Sequence, residues 1–283
     1  MVKINYCPSK YGMVSKNIVL LFFAFGMTIF VANAQRRPLD SLAIANWPYI
    51  FPVKLSSDGT FTLYLAGRGG DQWKTLSVVS TDGQPKVQMN NVREAFFIGN
   101  SKYVVAQTKG DSVMIIDLMN DTHRAFGSVK SLVVPKGDQN NGFAFKLLNG
   151  ELVLGKANGD NTDTLGQVSR AEFDPSGRWL LWCNKTDEGL ERWSYIDCET
   201  HARRTFWIGT SMGTIGFEGV SGKIAFLAKS ESGDDYSIWK YNMGADCAQC
   251  WLKSTVDQRG DSMVLENSRL DFLPGVQGWL FHV

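Results

Sequence analysis

Beyond Trp47, apolar residues alternate with polar ones over four to six positions, and Gly, Asp, Asn and Ser interrupt each run before a helical period can build. That pattern predicts an all-β chain. Aligning the interruptions exposes a repeat. Leu55-Ser-Ser-Asp58-Gly59 precedes TFTLYLA, Phe97-Ile-Gly-Asn100-Ser101 precedes KYVVAQ, and Pro135 to Asn141 precedes GFAFKL. Phe173-Asp-Pro-Ser176-Gly177 then precedes RWLLWC, Phe217 to Gly222 precedes KIAFLA, and Phe272-Leu-Pro-Gly275 leads to GWLFHV. The turns recur about every 40 residues, the period of a four-stranded propeller blade.

A second polar tip and strand follow in each unit: DQWKTLSVVS, GDSVMIIDLMN, NGELVLGK, EGLERWSYIDCET and SGDDYSIWKYNMG. Three end in Ile116-Asp117, Ile196-Asp197 and Tyr241-Asn242, where an Asx side chain can bond the backbone of the next turn and start an outer strand. Four strands per period predict an incomplete β-propeller: about five complete blades over residues 48–256 and the start of a sixth, ending at Val283 within a strand. A β-sandwich is the alternative architecture. A chain cut in mid-blade would expose the apolar edge of Trp279, Leu280 and Phe281, an aggregation template.

Residues 1–34 depart from this pattern. Lys3, Lys10 and Lys16 without an acid, an apolar run from Ile18 to Val31, and Ala32-Asn33-Ala34 have the layout of a secretory signal peptide, with an uncleaved anchor as the alternative. The run is short of the roughly 20 residues that span a bilayer, so no stable span is expected after cleavage. The expected organisation is a signal peptide at 1–34, a leader at 35–47 and a partial propeller at 48–283, exported to the periplasm or the extracellular space.

Lys and Arg number 29 against 28 Asp and Glu. That balance gives no reason to expect a nucleic-acid partner. At 44% hydrophobic residues the chain is a folding one rather than a disordered one. No feature specifies an oligomeric state.

The chain past the signal keeps Cys183, Cys198, Cys247 and Cys250. Pairing RWLLWCN with RWSYIDC about a turn at Asp187-Glu188-Gly189 sets Cys183 opposite Trp193 and Cys198 beside Arg178, roughly 16 Å apart and unable to bond. Cys247-Ala-Gln-Cys250 lacks the βαβ setting of a redox motif, which leaves a local disulfide or two free thiols. The spacing of the four disfavours a zinc site.

PLDSLAIANWPYIFPVKLSSDGTFTLYLA resembles the start of exported prolyl oligopeptidase-family serine peptidases of Bacteroidetes-like bacteria. DYSIWKYN and SRLDFLPGVQGWLFHV resemble later propeller blades of the same proteins. The resemblance runs over nearly all of the chain beyond the signal and rests on loose repeat motifs. It implies an N-terminal propeller of about seven or eight blades that covers an α/β-hydrolase domain and admits peptides rather than folded proteins. The catalytic Ser, Asp and His would belong to that hydrolase domain, which has no counterpart in this sequence. The expected role is therefore non-catalytic substrate gating, with peptides as partners through the missing domain. The alternative is a freestanding periplasmic propeller that binds a protein or glycan.

No residue is assigned a catalytic, cofactor-binding or metal-binding role. Gly209-Thr210-Ser211-Met212-Gly213 matches G-x-S-x-G, but a nucleophile elbow needs a helix after it and later Asp and His, and only His282 follows. Ser211 is read as part of a loop after the outer strand HARRTFWIG. His123 and His201 are read as solvated residues at the start of outer strands. Asn158 to Asp163 alternates oxygen ligands but lacks the central Gly and terminal Glu of a Ca²⁺ loop, and reads as a hairpin tip. Asp187-Glu188 and Asp234-Asp235 could hold a peptide amino terminus, as acidic residues do in dipeptidyl peptidase relatives, although no motif transfers the role and solvated turns explain them. Trp179, Trp182, Trp193 and Trp239 fall in strand patterns and are expected to pack between blades rather than stack on sugars.

Overall fold

In the computed structural model, the described residues are 41, 44, 47–68, 70–159, 162–229, 235–253, 255–256, 262–263, 270–273 and 278–281. The chain divides into two compact units, Met1–Trp47 and Pro48–Val283. The expected signal segment, residues 1–34, and most of the expected leader lie outside the described residues.

Pro48–Val283 is all-β and propeller-like. The first blade is an antiparallel meander of β1 (Tyr49–Leu55), β2 (Phe61–Gly67), β3 (Lys74–Ser80) and the N-terminal half of β4 (Pro85–Ile98). The C-terminal half of β4 begins the second blade, continued by β5 (Tyr103–Thr108), β6 (Ser112–Asp117) and β7 (Thr122–Phe126). The third comprises β8 (Val129–Val133), β9 (Gly142–Leu147), β10 (Glu151–Lys156) and β11 (Thr162–Gln167). The fourth is β12 (Arg170–Phe173), β13 (Trp179–Lys185), β14 (Glu191–Asp197) and β15 (Arg203–Gly209). The fifth is β16 (Met212–Phe217), β17 (Lys223–Lys229), β18 (Tyr236–Asn242) and β19 (Gln249–Lys253). Two short hairpins follow, β20 (Thr255–Val256) with β21 (Ser262–Met263), and β22 (Leu270–Leu273) with β23 (Gly278–Phe281). The side chains of Trp279, Leu280 and Phe281 lie outside the described residues.

One feature departs from the expected set of separate blades. β4 runs unbroken through the first two, pairing with β3 at its start and with β5 at its end. The join lies at Asn91, which has φ 62°, beside a register shift between Val92 and Glu94. Asn tolerates the left-handed region, and the irregularity re-aims the strand without ending it.

The blades are held by the cores between them. Leu63, Leu76, Val92 and Val104 pack the first seam, and Val105, Ile115, Phe143 and Val153 the second. Leu154, Leu180, Trp182 and Ile196 pack the third; Leu181, Trp193, Phe206 and Phe226 the fourth. Neighbours in a strand therefore serve different cores, as Leu180 and Leu181 do. This explains why the middle strands read as continuous apolar runs instead of strict alternation. The strand β1 differs: Ile50, Val53 and Leu55 are exposed.

The turns carry the chemistry their residues imply. Asp58 accepts hydrogen bonds from the Ser56 hydroxyl (2.7 Å) and the Thr60 N–H (3.0 Å), and Asp174 from the N–H groups of Ser176 (3.1 Å) and Trp179 (2.8 Å). Gly177 has φ 72°, and a Cβ there would lie 2.7 Å from Pro135, so this position needs glycine both for its backbone and for the close approach of the preceding blade. Asp117 and Asp197 cap the following turns through the N–H groups of Met119 and Asn120, and of Glu199 and Thr200. Asn242 differs, contributing its backbone carbonyl to the N–H of Ala245.

Three outer strands also reach the next blade. Arg124 of β7 donates to the carbonyls of Ala157 and Gly159, at the tip between β10 and β11. Asp163 of β11 meets His201 Nδ1 (2.7 Å) and Arg203 (3.6 Å). Arg204 of β15 donates to the carbonyls of Gly244 (2.7 Å) and Ala245 (2.8 Å).

Candidate functional site

Ser211 lies between β15 and β16, in the connection from one blade to the next, with a strand rather than a helix after it. The backbone that makes Ser a nucleophile at an elbow is a strand-to-helix turn, which this segment does not form. His123 is exposed in outer strand β7. His201 is exposed but not simply solvated, because it is held between Asp163 at Nδ1 and Lys156 Nζ, 3.5 Å from Nε2. That correction follows from the seam, which the linear pattern could not place.

Cys183 pairs with Trp193, and the N–H of Cys198 bonds the carbonyl of Arg178, the register expected from the hairpin. The two thiols belong to different cores on opposite faces of the fourth blade. Both are buried, and burial pushes the Cys198 thiol up to about 12. Cys247 is an exposed free thiol and Cys250 a half-buried one in β19. Asp187 and Glu188 form the exposed tip between β13 and β14. Asp235 is exposed before β18; Asp234, Asp160 and His282 lie outside the described residues. Trp182 and Trp193 are buried in seams, with Trp179 and Trp239 packed against the fourth.

The place where chemistry gathers is elsewhere, at the ends of the first strands of three blades. An open pocket of about 610 Å³ is lined by Lys54, Leu55 and Ser57 of the first blade, Phe96 and Phe97 of the second, and Val134 to Asp138 of the third. Its rim is tied by one polar network. The Asp138 carboxylate accepts the Ser101 hydroxyl and the Ser57 N–H (3.1 Å), and Ser57 N–H also reaches Ser101 Oγ (3.0 Å). Ser101 itself is buried, so this network joins turns of three successive blades.

Lys54 is the unusual side chain of the pocket. Its ammonium donates to the Ala95 carbonyl at 2.9 Å and lies 3.6 Å from the centroid of the Phe96 ring. Burial lowers its pKa, opposed by the charge of Glu94. Burial in turn raises the carboxyls of Glu94 and, on β12, of Glu172, against the pull of Arg93 and Lys54 on the first and of Arg170 and Lys136 on the second. The signal that could have found them was present in the sequence: a charge inside the apolar first strand of a blade, as in YIFPVKL and VREAFFI.

A larger cleft of about 740 Å³ lies between β15 and the fifth blade. Its aromatic walls are spent on packing: Phe206 and Trp207 are buried in the seam and the Trp239 indole N–H is bound by Ser237 (2.9 Å).

No protein-family model matches the chain, and no curated protein matches it in sequence. Among solved structures, the chain is similar to TolB from Acinetobacter baumannii at 13% identity and TM-score 0.38, over 70% of this chain and 54% of that one. It is similar to the Cps50 (Swd1) beta-propeller domain from Myceliophteria thermophila at 14% identity and TM-score 0.42, over 71% of this chain and 70% of that one. It is also similar to a prolyl endopeptidase at 8% identity and TM-score 0.48, over 92% of this chain and 43% of that one. The chain thus spans about half the length of TolB and less than half of the prolyl endopeptidase.

Proposed function

We propose that this chain is the non-catalytic, substrate-gating propeller portion of an exported serine peptidase of the prolyl oligopeptidase family, acting on peptides through a hydrolase domain that these residues do not supply. The observation that carries the reading is the pocket across the first strands of three blades, where an ammonium, hydroxyls and aromatic faces meet at the end of the blades. A peptide can be sorted there by shape and charge, beside a rim that Ser57, Ser101 and Asp138 tie across three blades. The family resemblance of the leader and blades supplies the reaction, and the lysine-bearing segment of residues 1–34 supplies the export.

The test has two parts. The purified chain should not hydrolyse fluorogenic prolyl peptides, and Ser211→Ala should change nothing; hydrolysis that Ser211→Ala abolishes would overturn the reading. Reading the coding DNA past the Val283 codon should reveal further blades, then a strand, a G-x-S-x-G turn and a helix. A stop at that codon, with a soluble monodisperse chain that binds a glycan or protein, would replace the gate by the freestanding binding propeller.

A further inference from the structure

A half-buried ammonium needs anionic or multiple neutral acceptors to offset its lost hydration. Lys54 has one acceptor, the Ala95 carbonyl, and among the described residues no carboxylate lies within ion-pair distance of it. Glu94 acts on Lys54 by its charge from beyond that distance, and the carboxylate on the pocket lining, Asp138, accepts from Ser101 and Ser57. The Ala95 carbonyl takes one of the three N–H donors of Lys54 and the Phe96 face draws the ammonium without accepting a full hydrogen bond, so the ammonium keeps donor capacity for a ligand, with Lys136 as a second cation on the lining. The remaining wall is apolar, chiefly Leu55, Phe96 and Pro135.

We propose that this pocket binds the α-carboxylate end of a short peptide whose last side chain is apolar, the carboxylate meeting Lys54 and Lys136 and the side chain lying against Phe96 and Leu55. The carboxylate site stands on the geometry of Lys54 alone; the peptide as its source rests on the gating role proposed above. Gating would then select chain ends and discriminate against internal segments, which have no carboxylate to offer.

Calorimetric titration of the full chain with acetyl-phenylalanyl-leucine, with its C-terminal amide and with decanoate tests this. The acid should bind about tenfold or more tightly than the amide, the scale of one charge-assisted hydrogen bond. Lys54→Met, which keeps an unbranched side chain of similar length and removes the ammonium, should weaken the acid by about the same factor and leave the amide unchanged. Lys136→Gln, at an exposed position, should give a smaller loss for the acid alone and serves if Lys54→Met fails to fold. Equal binding of acid and amide, or no binding of any of the three probes, overturns the site. Decanoate bound tighter than the dipeptide acid keeps the carboxylate site and overturns the peptide as its occupant. The gating role stands or falls separately, on hydrolysis and the coding frame.

Discussion

Phe226 offers the sharpest test of the claim that the seams hold the blades together. Its side chain is fully buried at the fourth seam, with ring centroids 5.9 Å from Phe206, 5.8 Å from Trp207 and 6.4 Å from Trp239. Phe226→Leu keeps an apolar side chain but removes three ring pairs, each worth about 0.5–1.5 kcal/mol, so a loss of about 2–3 kcal/mol is expected after repacking. Phe226→Ala adds the transfer and cavity costs, for about 4–5 kcal/mol in all. At about 2–4 °C per kcal/mol for a chain of this size, Tm should fall by about 4–12 °C for Leu and about 8–20 °C for Ala, read by near-ultraviolet circular dichroism. Leu148→Ala, at an exposed position, is the control and should move Tm by less than about 2 °C. Because blades contact mainly their neighbours, hydrogen exchange in the Phe226 variants should rise first in β16 to β19. A shift under about 2 °C for both variants, or protection lost uniformly over all five blades, would refute the reasoning.

Three further outcomes follow from the same contacts. Gly177→Ala should lower the urea midpoint more than Gly189→Ala: both have positive φ, costing about 1–2 kcal/mol, but only at Gly177 does the new methyl meet Pro135, while nothing lies within 4 Å of Gly189. Asp197→Asn should cost about 1 kcal/mol at pH 7 through the lost Arg178 pair. Burial opposes ionisation of Asp197, but the N–H groups of Thr200 and Glu199, together with Arg178, hold its carboxyl below the usual range. Its contribution is therefore complete well above the unfolded value of about 3.9 and vanishes as pH falls through the lower folded value, so urea titrations of the two proteins should begin to converge near about pH 4 and meet only below the folded value. In peptide-mapped alkylation at pH 8, Cys247 should react first, with Cys183 and Cys198 reacting only on unfolding; modification of Cys198 in the native chain as fast as Cys247 would contradict its burial.

The repeat was legible because each blade needs the same local devices: a Gly or Asx turn, a buried pair of middle strands, and a capped return to the outer strand. The spacing therefore marked the hairpins, and the pairing of Cys183 with Trp193 could be counted outward from one turn. β4 escaped because a single Asn in the left-handed region turns the strand without the cluster of breakers that signals a blade boundary. His201 and Asp163 escaped because 38 residues separate them and no local pattern joins two blades. The candidate site was the least legible part. Lys54, Phe96 and Asp138 come from three different repeats, and each has an ordinary local reading: an edge charge, a strand aromatic and a loop acid.

Local backbone preference and alternation are properties of neighbouring residues, so sequence alone determined that this chain is built of β-hairpins in four-stranded units and that Ser211 lacks the setting of a nucleophile. Which faces of those units meet, which side chains become seams, and which charge is left over a ring outside any ion pair depend on distances between residues tens of positions apart. Only the packing of one blade against the next decides those distances, because desolvation and close contact act through space and leave no periodic trace along the chain.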